Sequence, residues 1–298
     1  MEKIYVYCIL LSVVSIAKGF NYDSNGADWA GTCSTGNKQS PIDINTAIAT
    51  FNDTFGSFSF TNYDLANTYS KIKNNGHTIQ VDMAGTNVKL SGGGLVSGQY
   101  TLAQFHIHFG STSLSGSEHT IDTKKFPLEV HFVHYADKHT DIGTAAGQTD
   151  GLAVLGFLFE IQSADNSNLD FFVNMIKNVT NKDDTVDFMG PNIDSLVGDI
   201  SLTNFFRYSG SLTTPDCNEV VQWTIFNDKI KISESQMNLI RATYQDNGTT
   251  LIGKNYRAVQ GLEGRVIQKS SSSATENSPC TAMITVLAIH CLYFFVKV

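Results

Sequence analysis

The chain has 298 residues, a formal net charge of −8, 42% hydrophobic residues and five cysteines. Its acidic balance argues against a nucleic-acid partner and otherwise reads as a solvated surface. The length alone allows two average domains, and no internal repeat divides it. Met1-Glu2-Lys3 precedes an apolar run from Ile4 to Val14 and small residues around Ser15 and Ala17, which predicts a secretory signal over residues 1–18, cleaved near Ala17 or Gly19. The run is too short for a typical membrane span.

Beyond it, many short apolar-alternating runs broken by Gly, Asn, Asp and Ser predict a β-dominated architecture. Asn52, Asn178 and Asn247 each open an Asn-x-Thr triplet, and in an exported chain they are expected surface glycosylation sites. Ser91-Gly92-Gly93-Gly94 predicts a turn; no strand-to-helix context makes it a phosphate loop. Gln104-Phe105-His106-Ile107-His108 reads as a strand, on which His106, His108 and Gln104 share a face. Leu128-Glu129-Val130-His131-Phe132-Val133-His134 reads as another, with Glu129, His131 and Val133 on one side and His134 on the other. Side by side, the two strands would bring His106, His108 and His131 to one point. Three imidazoles around a point are the pattern of a catalytic zinc site, which keeps its fourth position open. An isolated His-x-His is more often a pair of ordinary hydrogen-bonded side chains. Gln104 and Glu129 shift that balance, since each lies two residues from a histidine on the same face, where a ligand's other ring nitrogen needs an acceptor. Helices are expected over 163–179 and 233–244.

With these segments in place the chain resembles the α-class carbonic anhydrases of the secreted or membrane-anchored type, from about Tyr22 to about Ile267. Gln39 to Ile44, Asn75-Gly76-His77, Gln104 to Gly110, Gly116 to Thr120, Glu129 to His134, Gly151 to Gly156 and Ser211 to Pro215 occur in that family's order. The resemblance implies one α+β domain over 20–268, with a large twisted, mostly antiparallel sheet and short peripheral helices. It implies reversible hydration of carbon dioxide to bicarbonate and a proton by zinc-bound hydroxide, with sulfonamide-type anionic inhibitors and an esterase activity as accompaniments. It assigns Zn2+ to His106, His108 and His131, orientation of the attacking oxygen to Thr213 through a hydrogen bond from its hydroxyl to Glu118, and substrate or bicarbonate contact to Thr214. Val133, Val154, Leu212, Val221 and Trp223 become the apolar wall for carbon dioxide, though each read singly is ordinary core. His77 becomes the proton shuttle, with Asn75 and Gln80 on the rim, while His119 and His134 read as structural, with Tyr208 and Ser40 as partners for His119. Phe109 and Tyr135 stand where vertebrate members carry tryptophan, a change in packing that removes no ligand. The rival reading is a non-catalytic binding or adhesion module, whose mark would be a lost zinc histidine.

Cys8 falls in the signal, and Cys280 and Cys291 fall in or beside the tail, so the domain keeps Cys33 and Cys217. An even pair in an exported domain argues for a disulfide, and the resemblance places a bridge at these two positions. After a polar spacer over 269–281, the apolar segment 282–298 ends the chain. Small residues at Ser270 to Ala274, a spacer and a hydrophobic end form the signal for a glycosylphosphatidylinositol anchor. A single transmembrane span is the alternative, but the run Ala282 to Val296 would reach only about 22 Å as a helix, and no basic cluster follows. Either attachment would hold the enzyme at the outer leaflet, on the extracellular face of the plasma membrane.

Overall fold

The computed structural model describes residues 19–85, 87–198 and 200–270. The strands are β1 (Asp43–Ile44), β2 (Thr50–Phe51), β3 (Phe58–Thr61), β4 (Tyr69–Asn74), β5 (Ile79–Met83), β6 (Lys89–Gly92), β7 (Gln99–Phe109), β8 (Thr120–Ile121), β9 (Leu128–Ala136), β10 (Leu152–Gln162), β11 (Thr185–Asp187), β12 (Phe205–Gly210), β13 (Val221–Ser233) and β14 (Gln268–Lys269). Five short helices surround them: α1 (Thr32–Thr35), α2 (Ile142–Ala145), α3 (Asp170–Ile176), α4 (Ile193–Val197) and α5 (Glu234–Arg241). Twelve strands form one sheet along the path β11-β4-β5-β7-β9-β10-β13-β12-β14-β2, with β3 and β6 joined to it through β7. Most pairings are antiparallel; β10 with β13 and β14 with β2 are parallel.

The sheet's centre is covered on both faces, and β9 records this residue by residue. All nine of its residues are buried. Leu128, Val130, Phe132 and Ala136 enter one apolar cluster with Phe105, Phe157 and Phe226, whereas Val133 and Tyr135 enter a second with Val154, Val221 and Trp223. Phe109 packs in the first cluster, so both aromatic departures from the vertebrate pattern are buried in the apolar interior.

The expected helix over 163–179 contracts to α3. Asn166 accounts for the lost half: its amide donates to Gln236 Oε1 at 3.0 Å, its Nδ2 to the Lys231 carbonyl at 2.7 Å, and its Oδ1 accepts the Asn168 amide at 3.1 Å. An asparagine whose backbone amide and side chain are both engaged in this way holds a turn in place of the helical ladder. The helix expected over 233–244 is α5, begun by a capping box between Ser233 and Gln236. At the triple-glycine turn Gly93 has φ 55°, and a Cβ there would strike the Phe58 ring. Among the described residues no helix is long and apolar enough to cross a membrane; the expected signal 1–18 and nearly all of the expected spacer and tail lie outside them.

Parity on β9 sends His134 away from His131 into the first cluster's side of the sheet, fully buried. Its Nδ1 donates to the Ala153 carbonyl at 3.2 Å and its Nε2 faces the Tyr63 hydroxyl. Burial pushes this imidazole down from 6.5 to about 4. The folded state therefore binds its proton later than the unfolded chain does, so stability is full above about pH 6.5 and falls as pH drops toward 4. The shift is worth up to about 3 kcal/mol. Urea unfolding of the parent and of His134→Gln should show a steeper loss between pH 7 and pH 4.5 in the parent; equal slopes would contradict the assignment.

Candidate active site

The antiparallel register of β7 and β9 sets His106 opposite His131 and His108 opposite Glu129, with Gln104 opposite Val133. The side-chain nitrogens of His106, His108 and His131 lie within 4.8 Å of one another. In each ring the other nitrogen has an acceptor. His106 Nδ1 donates to Gln104 Oε1 at 2.9 Å, His108 Nδ1 to the Asn255 carbonyl at 2.7 Å, and His131 Nε2 to Glu129 Oε1 at 2.7 Å. These bonds fix the tautomers and turn three lone pairs, His106 Nε2, His108 Nε2 and His131 Nδ1, inward. Burial, then repulsion from the other two rings, pushes His106 well below the usual imidazole range; burial lowers His108 too, against the opposing carboxylate of Glu118. Neutral imidazole is the form that ligates metal.

Glu118 is fully buried, and its Oε1 accepts the Arg257 amide at 2.7 Å. Its Oε2 lies 3.5 Å from His108 Nε2 and 4.0 Å from His131 Nδ1. Neither Glu118 Oε2 nor His108 Nε2 has a hydrogen-bond partner. A carboxylate oxygen and an imidazole lone pair, both sealed from water and turned together, are two acceptors with no donor between them. A divalent cation takes the His108 lone pair and leaves the carboxylate beside it free to accept from a hydroxyl, so the donor set fits zinc held by the three imidazoles. A second grouping, His119, Glu129 and His131, also has closely spaced donors. It fits poorly, because both His119 nitrogens are already engaged, Nδ1 by Glu129 Oε1 at 2.7 Å and Nε2 by the Tyr208 hydroxyl at 2.6 Å. Tyr208 in turn donates to Ser40 at 2.9 Å.

Thr213 is buried on the loop after β12 and makes no hydrogen bond to Glu118 in this structure, whose Oε2 is turned instead to the imidazole nitrogens. Thr214 is half-buried beside it, its carbonyl accepting the Cys217 amide at 2.8 Å. The five wall residues come together: Val154 pairs with Val133 on one side and with Trp223 on the other, Leu152 pairs with Val221, and Leu212 packs on the same cluster. The Trp223 ring lies 4.7 Å from that of His131, so this apolar surface adjoins the imidazoles. Gly156 sits opposite His131, where a Cβ would meet Glu129 Oε1 at 3.3 Å and press harder on Ile225.

His77 follows a turn held by Asn75, whose Oδ1 accepts the amides of His77 and Thr78 at 2.9 Å each. Its half-buried ring stacks on Phe20, 4.1 Å between centroids, at a cleft of about 360 Å³ that Lys182 and Lys254 also line. Burial, with the Lys182 charge second, lowers its pKa. Gln80, expected on the rim, is drawn to Asp82 at 2.6 Å.

Two contributors carried no signal in the sequence. Asn255 is fully buried; besides its carbonyl bond to His108, its Oδ1 accepts the Phe109 amide and its Nδ2 donates to the carbonyls of His77 and Ile107. Arg257 binds Gln39, Ser40 and Cys33 through its guanidinium while its amide holds Glu118. Both lie in irregular chain, where no period marks them.

A disulfide joins Cys33 to Cys217 and so ties α1 to the loop that carries Thr213 and Thr214. Its reduction should destabilise the domain by about 2–5 kcal/mol. Denaturant unfolding with and without reductant measures this, and an unchanged midpoint would contradict it.

The family model of the eukaryotic-type carbonic anhydrases matches residues 24–271. Among relatives, the chain is 34% identical to Carbonic anhydrase 6 of Mus musculus over 78% of this chain and 73% of that protein. It is 33% identical to Carbonic anhydrase 15 of Mus musculus over 85% and 82%, and 34% identical to Carbonic anhydrase 7 of the same species over 85% and 96%. On the match across nearly the whole described chain, the protein belongs to the eukaryotic-type, α-class carbonic anhydrase family.

Proposed function

We propose that this chain is an active zinc carbonic anhydrase, with His106, His108 and His131 as the ligands. The observation that carries the reading is the set of three inward lone pairs, each fixed by an acceptor on the ring's other nitrogen. Bound there, zinc supplies a Lewis acid that brings the pKa of water to about 7 against about 9 for the aqueous ion, a magnitude known from carbonic anhydrase itself. Three neutral imidazoles leave the ion's charge undiminished. Thr213 orients the attacking oxygen, with Glu118 Oε2 as the acceptor for its hydroxyl, and Thr214 contacts bicarbonate. Val133, Val154, Leu212, Val221 and Trp223 receive carbon dioxide, which has no net charge or dipole, and exclude water from it. Gln104 and Glu129 hold the ligand rings in place. Stopped-flow hydration of carbon dioxide tests the reading: rapid turnover, abolished by a chelator and by a sulfonamide, is expected, and no rate above the buffer's would overturn it in favour of the non-catalytic module.

His77 moves the proton from the site to solvent. Its Ala variant should turn over several-fold more slowly in weak buffer and recover on addition of imidazole, since an external base replaces the side chain. A variant as fast as the parent in weak buffer would assign the proton to another group. Its depressed pKa implies that this step saturates below pH 6.5, the ordinary imidazole value.

The chain is read as exported, with a signal over 1–18, a catalytic domain over 20–268, glycans at Asn52, Asn178 and Asn247, and a hydrophobic tail over 282–298 that signals a lipid anchor attached within Ser270 to Ala274 and is itself removed. The disulfide supports export, because such bridges persist in oxidising compartments. Asn178 and Asn247 are exposed and Asn52 half-buried. Phosphatidylinositol-specific phospholipase C should release the protein from intact cells; retention with the tail still attached would make it a single-span protein.

A further inference from the structure

Away from the imidazoles, a cavity of about 500 Å³ is lined by Lys38, Arg207, Arg265, Asp150, Tyr208 and Gln222, among others. None of His106, His108, His131 or the five wall residues lines it. Arg207 is only 6% exposed. Its Nε donates to Thr224 Oγ1 at 3.1 Å and its Nη2 to the Gly93 carbonyl at 2.9 Å, while Nη1 makes no hydrogen bond among the described residues. The guanidinium carbon lies 5.3, 5.9 and 5.6 Å from the rings of Phe55, Phe58 and Phe205. No carboxylate among the described residues comes within ion-pair distance of it; the arginine that has such a partner is Arg241. Arg265 is pinned by four carbonyls, those of Leu262, Ser209, Gln39 and Gly261, and is likewise without a close carboxylate. Glu219 and Glu263 act on Arg265 only from a distance. Two arginines and Lys38 against the single lining carboxylate of Asp150 make this cavity cationic in a protein of net charge −8.

We propose that this cavity binds a small oxyanion, received by Arg207 Nη1 and the fixed charge of Arg265, with Lys38 at the edge. A buried cation without a counter-charge is costly, and aromatic faces offset only part of the cost. Burial lowers the Arg207 pKa to about 10, so the group stays charged at neutral pH. A planar guanidinium with an unused N–H edge is suited to carboxylate, bicarbonate or phosphate oxygens. A purely structural arginine, caged by its three rings, is the alternative.

Calorimetric titration of the full protein with inorganic phosphate, and separately with bicarbonate, at constant ionic strength set by chloride, distinguishes the two. Saturable binding of at least one anion is expected, weakened about tenfold or more in Arg207→Gln and less in Arg265→Gln. The same binding should survive in His106→Asn, which separates this cavity from the imidazole cluster. Preference for bicarbonate would make the ligand the product of the family's reaction, and preference for phosphate an unrelated metabolite or headgroup. If Arg207→Gln does not fold, loss of affinity in Arg265→Gln carries the test. Absence of saturable binding, or binding lost in His106→Asn and kept in the arginine variants, would overturn the proposal.

Discussion

Replacing His106, His108 or His131 by asparagine, one at a time, is expected to cost the protein its tightly held zinc and its hydration activity. Each ring contributes one lone pair to a set within 4.8 Å, and each is aimed by a bond on its far side. Removing an outer acceptor alone typically costs about 10–100-fold in metal affinity, so removing the ligand should exceed that. Zinc content after dialysis and stopped-flow rates measure the effect. Parent-like zinc and rate in any one variant would remove that residue from the ligand set.

Glu129→Gln should be nearly as damaging, although Glu129 is not read as touching metal or substrate. Its Oε2 accepts the amides of Glu118 and His119 at 2.8 Å each, and its Oε1 accepts from His119 Nδ1 and His131 Nε2 at 2.7 Å each. Burial works to raise its pKa, but the electrostatic pull and hydrogen bonds of the His119 and His131 N–H groups outweigh it and hold the carboxyl well below its usual range. Glutamine would set an NH₂ group against donors in a fully buried pocket. Breaking such a network costs about 3–5 kcal/mol in stability, and zinc affinity should fall about 10–100-fold because His131 loses its orienting partner. Unfolding of the metal-free proteins and zinc titration report the two effects separately. A variant matching the parent in both would reduce Glu129 to a bystander.

What the sequence discloses here follows from periodicity. Side chains alternate on a strand, so the common face of His106 and His108, the company of Glu129 and Val133 with His131, and the turning away of His134 were all legible from position parity. The contraction of the 163–179 helix was not, because it depends on Asn166 reaching Gln236 and Lys231, residues distant in the chain. Asn255 and Arg257 were hidden for a related reason: they act from irregular chain through contacts that only the tertiary structure creates. Gly156 looks like any glycine until His131 and Glu129 are set against it. The pairing of Thr213 with Glu118 was a family inference that no strand parity carries; Glu118 Oε2 lies toward His108 and His131.

The most direct measurement is zinc K-edge X-ray absorption on the zinc-loaded protein. Three imidazole nitrogens at about 2.0–2.1 Å with one further light atom in a four-coordinate shell are the expected result. A shell with fewer than three imidazoles, or one completed by a protein carboxylate, would contradict it.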